Sequence, residues 1–398
     1  SSVDNTNLNC ISVDDSNCAT ANWTNIDSHT SFSDDCANFN LATAWTGAVD
    51  ADWNNPSNWS AGIPDSTDDI IISGAGSNPV INQIGAECRN LTIISGGSIS
   101  ISDASYSLNV DSLNIESGGQ LIMSNGNVHT NNVIHSGSLN ISGGTLDIDE
   151  NYTSFGNVTS NISGGMIKIG GNLDLFGNGF EPSGGEVEFS GNAAQTINLA
   201  NGNSFYDLII NNSHATDKVT VQGGLIVRNH LKVFDGFFVS GSDYHHLTIF
   251  PGTTIQLSGD ITVSGDWVNN GTFMPESYTV TFDGSTAQSI SGSTSSNFYN
   301  LTINNSSAEV TLNSVTAVLG TLNFNQGVIN VNTQSLDFGV GATVTNASNS
   351  SHAYNGPLYR SFDNNDQSFT YPLGDGTNYK PIDFYITGIN SNILSASY

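Results

Sequence analysis

Positive charge is the scarcest property of this chain. Its 398 residues carry 7 Lys and Arg against 36 Asp and Glu, a formal net charge of -29. Nucleic acid is excluded as a partner, because phosphates are held by clustered Lys and Arg and this surface repels them. An anionic membrane surface is disfavoured for the same reason. Long hydrophobic runs are also missing. No stretch approaches the roughly 18 apolar residues of a membrane-spanning helix, and no basic, hydrophobic leader opens the chain. Ser1 begins in mid-pattern and Tyr398 ends on a strand-like run. The expectation is therefore a piece of a longer protein, with any export signal outside it.

Cysteine is sparse: Cys10, Cys18, Cys36 and Cys88. Three lie close together near the start, which fits an extracellular disulfide among Cys10, Cys18 and Cys36. Four cysteines could form two bridges, in three pairings. Neither Cys-x2-Cys nor a matching His pair is present, which argues against zinc. Charged residues make up 11% of the chain, and Ser, Thr and Asn stand where Lys and Glu would stabilise helices. That usage favours strands and turns. The chain is still not a disordered polymer, because 37% of it is hydrophobic and arranged in alternating runs.

What is abundant is a repeated turn. Ser-Gly-Gly stands at 95–97, 117–119, 142–144, 163–165 and 183–185, and each copy leads into a short alternating strand such as Ser98-Ile99-Ser100-Ile101 or Thr145-Leu146-Asp147-Ile148. Self-similarity near 20 residues marks a solenoid, and this spacing reads as one rung per coil. A longer repeat runs through the same region. Residues 187–213 match 280–306 without a gap, at a separation of 93 residues: Val187-Glu188-Phe189-Ser190-Gly191 with Val280-Thr281-Phe282-Asp283-Gly284, Gln195-Thr196-Ile197 with Gln288-Ser289-Ile290, and Phe205-Tyr206 onward with Phe298-Tyr299 onward. Tandem immunoglobulin-like sandwiches of about 100 residues are the alternative. They give no reason for a turn every 20 to 25 residues. The fold class expected is all-β: a right-handed parallel β-helix, or β-solenoid, with an N-terminal cap and a small C-terminal β region. Handedness follows the general rule for parallel crossovers.

About 12 coils are expected, making a rod on the order of 60 Å at the usual strand spacing. Ile99, Ile101, Leu121, Met123, Leu139, Ile141, Leu146 and Ile148 are its inward ladder. The boundaries read are 1–42 as the end of an upstream region or linker, 43–88 as a Trp-rich cap over the first coil, 89–350 as the solenoid, and 351–398 as a C-terminal β cap or the start of a next domain. Ends of a solenoid need covering, because open strand edges template aggregation.

Several segments resemble large surface proteins of Bacteroidetes bacteria. Thr43-Ala44-Trp45-Thr46-Gly47, Asp52-Trp53-Asn54, Asn58-Trp59-Ser60 and Gly62-Ile63-Pro64, followed by Asp68-Asp69-Ile70-Ile71-Ile72, look like their opening module. Gly265-Asp266-Trp267-Val268-Asn269-Asn270-Gly271-Thr272-Phe273 and the elements after it are similar to their β-solenoid repeats. Asn355-Gly356-Pro357-Leu358 and Phe369-Thr370-Tyr371-Pro372-Leu373-Gly374-Asp375-Gly376 resemble the segment that follows those repeats. Residues 8–36 resemble the closing piece of a leucine-rich-repeat array. The resemblance implies type IX secretion, display at the outer cell surface, and an adhesive role, with gliding motility in some relatives. It implies secretion and surface-anchoring machinery as partners, and surface glycans or other cells as things touched. It brings no catalytic residue.

Candidate sites are few. Asp14-Asp15, Asp34-Asp35 and Asp68-Asp69 are carboxylate pairs, but strand neighbours point to opposite faces, so turn or capping roles are expected. Arg228 and Lys232 form the nearest basic cluster for an acidic-sugar lyase. His245-His246 beside Asp243 could hold a metal, against the expectation that the two rings point apart. Asp147, Asp149 and Glu150 form one acidic knot. Asp363, Asp366 and Asp375-Gly376 form another, in a loop context that suits calcium, the one cofactor considered. Trp45, Trp53 and Trp59 serve either as a sugar-stacking platform or as the packing of a cap, and the cap is favoured. Asn211-Asn212 and Asn304-Asn305 read as stacked asparagine ladders. The sequence-based expectation is a non-catalytic extracellular segment, structural or adhesive. A carbohydrate-binding or carbohydrate-cleaving β-helix is the alternative.

Overall fold

The computed structural model describes residues 10–12, 31–33, 43–200, 202–214, 218–362, 368–385 and 392–396. Short alternating strands bury every second side chain, and turns separate them every five to ten residues. Such strands cannot bury both faces alone, so each coil stacks on the next. From Ala86 to Ala353, one continuous parallel ladder joins fourteen strands, stepping about 20 residues per coil (267 residues over thirteen steps). The protein is a parallel β-solenoid of about fourteen coils, on the order of 65 Å along its axis.

Each coil has three faces. In the second coil they are Ser98–Ile101 (face 1), then 107–110 (face 2) and 112–115 (face 3) of the bent strand Ser107–Ile115. Register is direct, with inward residues on inward residues: Ile99↔Leu121↔Leu139 on face 1, Leu108↔Val128↔Leu146 on face 2, Leu113↔Val133↔Tyr152 on face 3. One hydrophobic core runs through all coils. At the start, Thr43–Ala44 pairs with 70–71, and Asp69–Ile72 pairs with 90–93. At the far end, Leu358–Phe362 pairs in parallel with 336–338 and is covered by Asn392–Ala396 running antiparallel. Residues 10–12 pair in parallel with 31–33.

The Ser-Gly-Gly motif stands once in each of five successive coils, but not at one corner. Copies at 95–97 and 117–119 precede face 1, whereas those at 142–144, 163–165 and 183–185 precede face 2. The switch of corner falls at the longest interval, between 117 and 142. The tripeptide even folds two ways. Gly96 and Gly118, the first glycines of their pairs, have φ of 84° and 82°. At the other corner the second glycines take the left-handed conformation: Gly144, Gly165 and Gly185, with φ of 81°, 72° and 75°. Glycine is the residue that adopts either without strain.

The 93-residue repeat is not a whole number of coils. Val187 lies on face 2, paired with Ile167 and Leu208, while Val280 lies on face 1, paired with Ile261 and Leu301. The second copy is four coils and two faces further on, so the same sequence builds a different side of the triangle. What the copies share is a corner lock. Gln195 Nε2 donates to the Ile169 and Gly171 carbonyls at 3.0 and 2.7 Å, and its Oε1 accepts from Gly191 N and Asn212 Nδ2. Gln288 repeats this with Val263 and Gly265 (2.9 and 2.7 Å), Gly284 N and Asn305 Nδ2. Asn212 and Asn305 therefore serve the buried glutamines and do not form the expected asparagine ladders. Asn211 bonds Glu188, and Asn304 accepts from Asn325.

A histidine is among the titratable groups in the core. His135 is fully buried, its Nδ1 2.6 Å from the Tyr152 hydroxyl, and its Nε2 has no partner. Burial pushes its pKa down to about 4, with only the Gly137 backbone opposing. The unfolded chain, near 6.5, binds the proton more readily. Stability is therefore full above about pH 6.5 and falls as pH drops towards 4, by roughly 3 kcal/mol for a shift of this size. Urea titrations at pH 7.5 and 4.5 should show this loss. The double variant His135→Leu/Tyr152→Phe should show a clearly smaller one, and an equal loss would exclude His135 as its source.

Candidate binding groove

All three tryptophans of the N-terminal segment are buried. Trp59 meets Trp45 and Trp53 edge-on at 4.8 and 4.7 Å, and the indole N–H groups of Trp45 and Trp59 donate to the Ser77 and Trp53 carbonyls. Their faces are closed to a ligand, so the sugar-platform alternative does not hold. They fill the space above the first coil.

The histidines are placed differently from the expectation. The strand Asp243–Ile249 turns the corner between faces 1 and 2: Asp243 and Tyr244 pair with 262–263, while 247–249 pair with 267–269. A bend between two adjacent residues lets both side chains leave on the outer side. His245 and His246 accordingly lie with ring centroids 4.2 Å apart, and His230 sits 5.7 Å from His246 on the preceding rung. His245 Nδ1 is 2.9 Å from Ser264 Oγ. His246 Nδ1 accepts from Asp266 N at 2.8 Å. Gly265 is required here, because a Cβ would stand 2.6 Å from His246 Nδ1. Burial and the neighbouring imidazole lower the His245 pKa. Burial, then Lys232 and His246, lower that of His230.

Beside this corner opens a groove of about 420 Å³, lined by Arg228, Asp243, Tyr244, His245, Thr262, Ser264 and Asp283 among others. It spans four coils. A register shift between Val227 and His230 inserts one extra residue at its edge, and Arg228 there is exposed. Arg228 bonds Glu181 at 2.7 Å. Asp283 has a raised pKa, from burial first and then from the charge of Asp243. Asp243 and Asp283 stand two rungs apart, because Asp243 pairs with Thr262 and Thr262 with Thr281. The groove thus offers two carboxyl groups, an imidazole, a guanidinium and two hydroxyls, a set suited to a polyhydroxylated ligand. Asp283, Thr262 and Ser264 were not singled out from the sequence. The one signal was the repeat itself, where Asp283 replaces Ser190 of the other copy.

The other candidates separate. Lys232 lies on face 2, 3.0 Å from Glu186 and 3.7 Å from Asp207, away from Arg228, so no joint basic cluster forms. Asp69 takes Arg89 in a two-point bond and Asn90 in addition, while Asp68 caps the turn from Asp65. In the 147–150 knot, Asp149 pairs with His129 and Glu150 accepts from Asn132, so the carboxylates do not converge. Asp375 is held by Lys380 at 2.7 Å and by the backbone of its own turn, which pull its pKa down. Among the described residues, no three His, Cys, Asp or Glu side chains meet in a metal-binding group. Asp363, Asp366, Asp14-Asp15 and Asp34-Asp35 lie outside the described residues. So do the side chains of Cys10, Cys18 and Cys36. Cys88 is a buried free thiol, which rules out a second bridge through it.

Residues 44–222 match a family model described as a domain of unknown function (DUF8693), a span from the cap into the seventh coil. No curated protein matches the chain. No solved structure matches it.

Proposed function

We propose that this chain is a non-catalytic, rod-shaped segment of a large bacterial cell-surface protein, structural and adhesive in role. The observation that carries the reading is the uninterrupted fourteen-strand ladder with one continuous core. A body whose coils contact only their neighbours is suited to spanning distance and presenting lateral surfaces. The resemblance of the Trp-rich segment and the repeats to Bacteroidetes surface proteins supports outer-surface display through type IX secretion, with surface glycans or neighbouring cells as what it touches. Calcium is not needed for stiffness in this reading, because axial stacking of the coils supplies it. Adding EDTA should leave the melting temperature within about 1 °C, and a large drop would show that the rod is ion-stiffened.

A second reading rests on the groove. Asp283, with its raised pKa, shares the groove with Asp243 two rungs away, and glycoside hydrolysis uses two carboxyl groups across a sugar. Incubation with plant and microbial polysaccharides followed by a reducing-sugar assay separates the two. The rod reading expects no release. Release that disappears in Asp283→Asn would overturn it.

A further inference from the structure

Phe155 and Phe176 are among the largest exposed apolar side chains, 48% and 61% exposed, and they stand outside the core at the end of face 3. They sit on successive rungs with ring centroids 5.6 Å apart and planes 25° apart, a stacked pair running along the axis. The next rung carries Ala200, whose N–H donates to the Leu175 carbonyl directly below Phe176. The rung after that brings Gly223-Gly224, with Gly223 at φ 102° and no room for a Cβ beside the Leu199 carbonyl. The ring column therefore stops at Phe176 and opens into a hollow of about 510 Å³, walled by Asn198 and Gln222.

The walls are amides with unused capacity. Asn198 Nδ2 donates to the Asp174 carboxylate, which fixes the orientation of the amide and turns Oδ1 away. That Oδ1 is buried and has no donor, so a turn of the amide is needed to present it to the hollow. Gln222 is exposed one rung further along the same outward column. A hydroxyl-bearing ring suits this lining: an apolar face on Phe176, hydroxyls towards the exposed Gln222 amide, and one that draws the Asn198 amide outward. A bare aromatic side chain meets only the first. An acidic sugar is disfavoured by Asp174 and by the net charge of -29.

We infer that the hollow beneath Phe176 is a binding subsite for one neutral hexose or pentose ring of a glycan, occupying the place where a third aromatic ring would continue the stack. The inference adds a ligand to the rod reading and needs only that the coils be stacked. Loss of binding in an intact rod overturns the subsite and leaves that reading standing.

The test uses the full chain, titrated calorimetrically with neutral cello-, xylo- and manno-oligosaccharides, with oligogalacturonate as the acidic control and a tryptophan-containing peptide as the aromatic one. The result expected is saturable binding of at least one neutral series. Phe176→Ala should weaken it at least tenfold. Ala200→Phe should abolish it by completing the ring column from the chain itself, with a melting temperature equal to or above the unmodified protein's. That second variant keeps the test valid if Phe176→Ala loosens the coil. No binding of any neutral series, binding unchanged in both variants, or preference for the peptide or the acidic glycan would each overturn the inference.

Discussion

Ile141→Asp should split the rod. Ile141 is fully buried on face 1, between Met123 and Ile162. A carboxylate there has neither water nor a partner, a cost of several kcal/mol even after partial protonation. In a solenoid each coil leans on its two neighbours, so the damage spreads along the axis before it spreads around it. Hydrogen exchange should rise steeply over residues 98–175 while 300–345 keeps its protection, and the melting curve should gain an early transition. Ile141→Val, which removes one methyl group, should cost about 1 kcal/mol and leave one transition. A wild-type-like curve for the Asp variant would contradict the stacked core.

Gln288→Leu should be nearly as severe, although it replaces a polar residue by an apolar one of similar size. It strands two carbonyls, one backbone N–H and the Asn305 amide, at a side chain only 2% exposed. Buried groups left without partners cost about 1–3 kcal/mol each. Partial relaxation makes a loss of about 3–5 kcal/mol the expectation. Gln195→Leu should match it, because the network is the same at another face. The two losses should add, since the sites are more than four coils apart. Gln256, outward-facing, half-buried and bonded only to Lys218 and Glu276, should tolerate the same change within about 0.5 kcal/mol. A neutral Gln288→Leu would show that the corner is held by the backbone alone.

The alternation of Ile99, Ile101, Leu121 and Met123 was enough to read strands and their buried face, because a strand's inside and outside are set within four residues. The coil rhythm was legible for the same reason. Which corner a turn occupies was not. Ser-Gly-Gly at 117 and at 142 is one tripeptide in two corners, distinguished by the neighbouring coil and not by its own residues. Likewise the repeated Gln195 and Gln288 revealed shared chemistry, but their different faces follow from the number of residues between them divided among three sides. The groove was least legible of all. His245 and His246 were expected to point apart, as in a straight strand, and the corner between Tyr244 and Leu247 reverses that. Asp283 joins Asp243 and His245 in the groove from two rungs away, a neighbour that only the coil register supplies.

The central claim is that residues 80–362 form one axially stacked rod, and distances along one outward column test it most directly. Asn109, Thr248 and Asn313 lie on the same column of face 2, with Thr248 seven rungs and Asn313 ten rungs from Asn109, and both asparagines are exposed. Spin labels at 109 and 248, and at 109 and 313, should give narrow distance distributions near 34 and 48 Å, at about 4.8 Å per rung. Broad distributions, or distances that do not scale with rung number, would contradict the account.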